Sequence, residues 1–149
     1  KSLAPGGVAV IHTIAMHHRA TPVNRWLTRY IFPGGYLPSI QQLISVTEGR
    51  GLKLLDMEIM RGHYAETLRH WRLRFEKRRE IMAEKYDERF VRMWEFYLLG
   101  CEYFFRCQHG MVVQLQLSDD QQSVPKSRAY VNDLESRFKN RLLRSPSVF

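Results

Sequence analysis

The sequence predicts a partial α/β fold: three strands separated by helices, with one further helix as a tail. Three observations carry this. Val8 to Ala15 is a short run rich in β-branched residues, opened by a Pro5-Gly6-Gly7 turn. Leu52 to Met60 is a second short apolar run that follows Gly49 and Gly51, and in Met111 to Leu117 Val113, Leu115 and Leu117 alternate with Gln114 and Gln116. Short glycine-bounded runs of this kind read as strands.

In chain order, Lys1 to Gly7 reads as the end of a helix stopped by proline and glycine. The strand that follows is apolar enough to be covered on both faces, as in a parallel α/β sheet. His12 and Thr13 interrupt it toward its C-terminal end, where open α/β sheets hold their ligands. A helix is expected from about Pro22, with Val23, Trp26, Leu27 and Tyr30 on one face. Tyr30 to Pro38 is a rigid aromatic turn reversed at Pro33-Gly34-Gly35. Ser39 is placed to cap a helix over Ile40 to Glu48.

The second run alternates weakly and could be helix; read as a strand, because it is short and glycine-bounded, it puts Leu52, Leu54, Asp56, Glu58 and Met60 on one face. From His63 to about Lys85 the spacing predicts one long helix, with Tyr64, Leu68, Trp71, Phe75 and Met82 on its apolar side and a basic opposite face. Asp87 can cap a second long helix, Glu88 to Arg106, whose stripe includes Phe90, Met93, Trp94, Tyr97, Leu98 and Cys101. After the polar loop Asp119 to Ser127, Tyr130, Leu134, Phe138 and Leu142 mark the tail helix. The organisation expected is therefore residues 1–117 as one unit and 118–149 as a loop and tail.

Composition narrows the function classes. The 149 residues are 44% hydrophobic and 26% charged, and 23 Lys+Arg against 15 Asp+Glu give a formal net charge of +8. A basic surface points to an anionic partner, a membrane face or nucleic acid. Aromatics buried away from the basic residues argue against nucleic acid, which needs both on one exposed surface. Two cysteines, Cys101 and Cys107, make no disulfide framework, so a reducing, cytoplasmic compartment is expected. No stretch approaches the length of a membrane span. His17, His18 and Arg19 read as a solvated loop, since adjacent histidines diverge and no third ligand is evident; a metal site is not expected. A start at Lys1, without an initiator Met, reads as the middle of a longer protein.

The order of motifs is specific. Leu3-Ala-Pro-Gly-Gly7 leads into His12-Thr-Ile14, and Tyr30-Ile-Phe-Pro-Gly-Gly35 is followed by Leu37-Pro-Ser39. Then come His63-Tyr64 with Thr67-Leu68 and Trp71, and Arg89-Phe90 through Met93 to Tyr97-Leu98, Cys101 and Phe105-Arg106. From Lys1 to Leu117 the chain resembles the C-terminal part of the cyclopropane-fatty-acyl-phospholipid synthase and mycolic acid cyclopropane synthase family.

The resemblance implies the C-terminal half of a class I, Rossmann-like, S-adenosylmethionine-dependent methyltransferase. The three strands would be the fifth, sixth and seventh, with the seventh antiparallel between the other two. The family's S-adenosylmethionine site lies mostly in the preceding half, on a glycine-rich loop that has no counterpart here, so no cofactor-binding residue is assigned. A bicarbonate ion, the family's general base, would be held by His12, the backbone of Ile14 and Tyr64, with His12 and Tyr64 as the catalytic pair. The family's glutamate and cysteine for that site come from the preceding half, so Cys101 and Cys107 are not equated with them.

The implied reaction adds a methylene from S-adenosylmethionine across a cis double bond of a phospholipid acyl chain. An alkene is a weak nucleophile, so the sulfonium methyl must be held in line in a dry pocket. The aromatic faces of Tyr36 and Tyr97 are candidates to favour the resulting carbocation. Phospholipid, an anionic membrane surface at the inner face of the membrane and a homodimer partner are the associations implied; nucleic acid is not. A branched-methyl or other acceptor within the family, and a non-catalytic basic membrane- or nucleic-acid-binding module, are the alternatives. This chain by itself is expected to be inactive.

Overall fold

The computed structural model describes residues 3–107 and 110–144. Its main sheet holds β1 (Ala9–Met16), β4 (Lys53–Met60) and β5 (Gly110–Ser118), in the order β1-β5-β4. β5 is antiparallel to both neighbours, so β1 and β4 run the same way with the last strand reversed between them. This is the arrangement the family resemblance implies.

The segment between β1 and β4 differs from expectation at its start. Thr21–Pro22 (β2) pairs with Tyr36–Leu37 (β3) as a two-residue ladder around α1 (Arg25–Tyr30). Pro22 thus lies in a strand, not in a helix. Asn24 is the reason: its side chain accepts the Trp26 N–H at 2.8 Å and starts the helix there. Gly34, at φ +74°, supplies the left-handed turn that returns the chain to β3.

Ser39 caps α2 (Ile40–Glu48) as expected. It does so reciprocally, since the Gln42 N–H donates to the Ser39 hydroxyl while the Gln42 side chain accepts the Ser39 N–H. Leu3 to Gly7 is a turn closed by the Gly7 N–H on the Ala4 carbonyl; Lys1 and Ser2 of the expected helix end lie outside the described residues.

The long helix expected over His63 to Lys85 is two helices, α3 (His63–Glu76) and α4 (Arg79–Lys85). The Arg78 N–H bonds Phe75 O at 2.9 Å, a tightened last turn. Arg79 then binds Glu88 through both terminal nitrogens, at 3.0 and 2.8 Å, and Glu95 at 3.2 Å. These contacts draw α4 onto α5 (Glu88–Cys107). Asp87 caps α5 by accepting the Phe90 N–H. After β5, a loop leads to α6 (Ala129–Arg144).

Two cores sit on opposite faces of the sheet. Met111, Val113, Leu115 and Leu117 face α2 with Ala15, Ile40, Leu43 and Met57. Val112 faces α3 and α5 with Ala65, Leu68, Leu98 and Phe105. β1 is not covered on both faces: it is an edge strand of this sheet, and Val10 is 61% and Ile11 40% exposed. β4 does not keep one alternation either. A bulge between Leu54 and Asp56 puts Leu54 opposite Leu117 but Asp56 opposite Gln116, so Leu54 parts from Asp56, Glu58 and Met60.

Truncating Leu115, fully buried under α2, to alanine should cost about 2–5 kcal/mol in denaturant unfolding. Ser39→Ala should cost only about 1 kcal/mol, the worth of one capping hydroxyl.

Candidate active site

On the face that carries α3 and α5, the pairings of β1, β5 and β4 set side chains in rows. Ile14, Val112 and Met60 form an apolar row that enters the second core. The next row is His12, Gln114 and Glu58; the one after is Val10, Gln116 and Asp56. The polar rows begin where the helices stop covering the sheet.

His12 is exposed, and its Nδ1 lies 3.0 Å from the Gln114 amide nitrogen. With that amide donating, Nδ1 accepts, so the ring proton sits on Nε2. Beyond Gln114, Arg128 binds Asp56 at 2.9 Å and Glu58 at 3.3 Å. The Tyr130 hydroxyl donates to Gln116 Oε1 at 2.9 Å. From sequence, Gln114 marks only the strand alternation and Tyr130 only the tail helix, and Arg128 carries no signal. The alternation of Gln114 and Gln116 in an apolar strand was visible, but only the register sets Gln114 against His12.

The Ile14 backbone is available to a ligand in a specific direction. The Met16 N–H donates outward to the Pro38 carbonyl at 2.8 Å, away from β5. N–H groups two residues apart on a strand point the same way, so that of Ile14 points to the outer edge of β1. Tyr64, at the start of α3, packs in the second core with Ile14. Its ring lies edge-on to Phe105 at 5.0 Å and to Trp71 at 6.0 Å.

Beside these residues runs an open groove of about 1350 Å³ between α5 and the segment from β1 to β3. Ile14, Tyr36, Phe90, Tyr97, Cys101 and Phe104 are among its lining. His12 and Tyr64 lie outside that lining, although Tyr64 is close enough to Tyr97 to influence it electrostatically. Burial pushes the Tyr97 phenol up to about 12, helped by Cys101 and Tyr64, and the Cys101 thiol up to about 11. Both stay neutral at physiological pH. The Tyr36 hydroxyl sits 2.8 Å from Gln42 Nε2, which ties it to the cap of α2.

The stripe on α5 is thus only partly core. Leu98 and Phe105 are buried, while Phe96 and Tyr103 line the groove and remain exposed. His17 and His18 lie exposed between β1 and β2, and no cluster of three or more His, Cys, Asp or Glu suited to a metal occurs among the described residues. Nor is any described helix long and apolar enough to cross a membrane.

Comparison with known proteins places this geometry. A family model described as mycolic acid cyclopropane synthetase matches residues 1–116. A tuberculostearic acid methyltransferase of Mycobacterium tuberculosis is 46% identical over 119 residues, covering 76% of this chain and 28% of the relative. A cyclopropane-fatty-acyl-phospholipid synthase of Escherichia coli is 33% identical over 118 residues, covering 79% and 31%. Among solved structures, a cyclopropane synthase of Mycobacterium tuberculosis superposes with a TM-score of 0.67 at 29% identity, covering 77% of this chain and 45% of that one. A mycolic acid cyclopropane synthase complexed with SAH and CTAB gives 0.67 at 27% identity, covering 74% and 44%. The chain therefore spans under half the length of these relatives.

The raised Cys101 thiol has a pH signature. Burying it neutral stabilises the fold fully below its ordinary value of 9.0, and that contribution falls as pH rises toward about 11. The thermal midpoint of the native protein should drop more steeply over that window than that of Cys101→Ala. At neutral pH iodoacetamide should modify the exposed Cys107 well before Cys101.

Proposed function

This chain belongs to the mycolic acid cyclopropane synthetase family, and we propose that it supplies the anion-binding wall and acyl groove of an S-adenosylmethionine-dependent lipid methyltransferase. The full protein would add a methylene across the cis double bond of a phospholipid acyl chain. The observation that carries this reading is the aromatic groove beside Ile14, with His12 held at one ring nitrogen by Gln114.

The residues present fit a small oxyanion. His12 turns an Nε2–H donor outward, Ile14 offers a backbone N–H at the open strand edge, and Tyr64 can offer a phenolic proton. Together they would hold bicarbonate. That ion supplies a base mild enough to coexist with a sulfonium and close enough to take a proton from the new methyl. Tyr97 and Tyr36 turn rings toward the groove; each neutral face would favour a carbocation by about 0.5–2 kcal/mol. For S-adenosylmethionine itself this chain presents no glycine-rich phosphate-type loop after a strand. No contact to that cofactor is assigned to it.

A second reading is supported by the 46% identity to a tuberculostearic acid methyltransferase, higher than the 33% to the phospholipid synthase. On that reading the same groove and anion wall serve methyl transfer that ends without a ring. Fragmentation mass spectrometry of the lipid product separates the two outcomes.

The site reading is tested in the full-length protein with labelled S-adenosylmethionine and unsaturated phospholipid. His12→Gln and Tyr64→Phe should each lower turnover by about a hundredfold or more while leaving the thermal midpoint in place; unchanged turnover refutes the assignment. Gln114→Leu should keep the fold but lose the fixed tautomer. The nitrogen shifts of labelled His12 should move from a single Nε2–H form to a mixture, with kcat falling and KM for lipid little changed.

A further inference from the structure

The lysines and arginines from Arg69 to Arg79 fall into two kinds. Arg69, Arg72 and Arg79 face carboxylates: Glu66 at 3.8 Å, Glu102 at 3.2 Å and Glu88 at 2.8 Å. Arg74, Lys77 and Arg78 have no ion pair among the described residues. They surround a hollow of about 480 Å³ at the break between the two helices, with Phe75 and Met82 as its apolar lining. Cations arranged around an apolar lining match a phosphodiester headgroup attached to hydrocarbon.

The short helix beyond the hollow has matching chemistry. Arg78, Ile81, Met82 and Lys85 recur at i, i+3, i+4 and i+7, so they share one face, while Glu80 and Glu84 fall on another. Ile81 is 59% exposed. The Lys85 ammonium lies 5.4 Å over the ring of Tyr86, which is itself exposed. A face of this kind, an exposed branched aliphatic and an aromatic flanked by long cationic side chains, suits the boundary between headgroups and acyl chains.

The ring of Tyr86 packs at 4.5 Å on Phe90, and Phe90 lines the acyl groove. The Tyr86 end of α4 therefore adjoins the groove, and the chain carries a net charge of +8.

We infer that the α3–α4 elbow seats the protein on an anionic phospholipid bilayer, with Arg74, Lys77 and Arg78 on headgroup phosphates and Ile81 and Tyr86 in the acyl boundary. This rests on the reading of the groove as an acyl-chain site and identifies the surface that delivers the bilayer to it. Arg74, Lys77 and Arg78 stand at i, i+3 and i+4 and so share a face; the hollow among them lies at the break.

The test is sedimentation of the full-length protein with vesicles of phosphatidylglycerol diluted in phosphatidylcholine, and with pure phosphatidylcholine. The native protein should bind the mixed vesicles and bind the neutral ones far more weakly. Arg78→Gln combined with Lys85→Gln should weaken binding to the mixed vesicles by about 30-fold. Ile81→Asp should weaken it as well, and both variants should keep the native thermal midpoint. Arg137→Gln with Lys139→Gln removes the same charge from the tail helix and should leave binding unchanged. Equal weakening by that pair would mean diffuse net charge acts and would overturn the assignment, as would unaltered binding in the elbow variants. Inorganic phosphate that competes the vesicles off at comparable affinity would make the hollow a small-anion site instead. Turnover of the native protein on detergent-dispersed unsaturated phospholipid is assayed alongside. Its absence would sink the acyl-chain reading, while the vesicle measurements would still decide for or against the membrane seat.

Discussion

Everything in this structure depends on β5 being paired on both edges, packed along one face and anchored on the other by Val112. Its odd-numbered residues, Met111 to Leu117, fill the core under α2, and Val112 fills the core under α3 and α5. Each buried Val or Leu of that strand contributes about 1.5–3 kcal/mol of transfer free energy. The arrangement also fixes parity. A slip of one residue would drive Gln114 and Gln116 into the α2 core and turn Val113 and Leu115 outward. The register that places His12 against Gln114 is thus enforced by hydrophobic residues that never touch a ligand.

Polar residues on an otherwise core-facing surface need partners, and the tail supplies several. Tyr130 satisfies Gln116, and Arg128 sits between Asp56 and Glu58. The loop before it is tied to the sheet end as well: Asp119 accepts the Gly6 N–H through Oδ1 and the Lys53 ammonium through its carbonyl. These residues lie beyond the stretch matched by the family model, residues 1–116. In this chain the tail is therefore part of the environment of the polar rows as well as an appended helix.

Periodicity made most of the architecture legible. The three strands, the caps at Ser39 and Asp87, and the antiparallel last strand could be read because each rests on a local rule or on the family's motif order. What escaped depends on long-range pairing. Pro22 looked like a helix start until Asn24 took the capping role and Leu37 offered Thr21 a partner strand. The α3–α4 break follows from Arg79 reaching residues nine and sixteen positions away, which no helical wheel displays. The apolar run of β1 could not by itself say that its strand would be an edge. Of the residues proposed for the site, His12 stood out first by its place in the strand and Ile14 and Tyr64 through the motif, whereas Gln114 as the partner of His12 needed the register.

The breadth of the α5 stripe is a further case in which one pattern serves two purposes. Val91, Leu98 and Phe105 are fully or nearly buried and would suffice to hold α5 against α3 and the sheet. Phe96 and Tyr103 exceed that need, and they line the groove with Tyr97 and Cys101. A core seam needs only a narrow stripe; the surplus apolar surface forms a second wall. The desolvation that raises Tyr97 and Cys101 belongs to the same wall. There a phenol and a thiol remain protonated and poorly nucleophilic; on the proposed reading, a cation developing nearby would meet neutral ring faces. The aromatic composition of the helix thus does more than pack. It also walls the groove with aromatic rings.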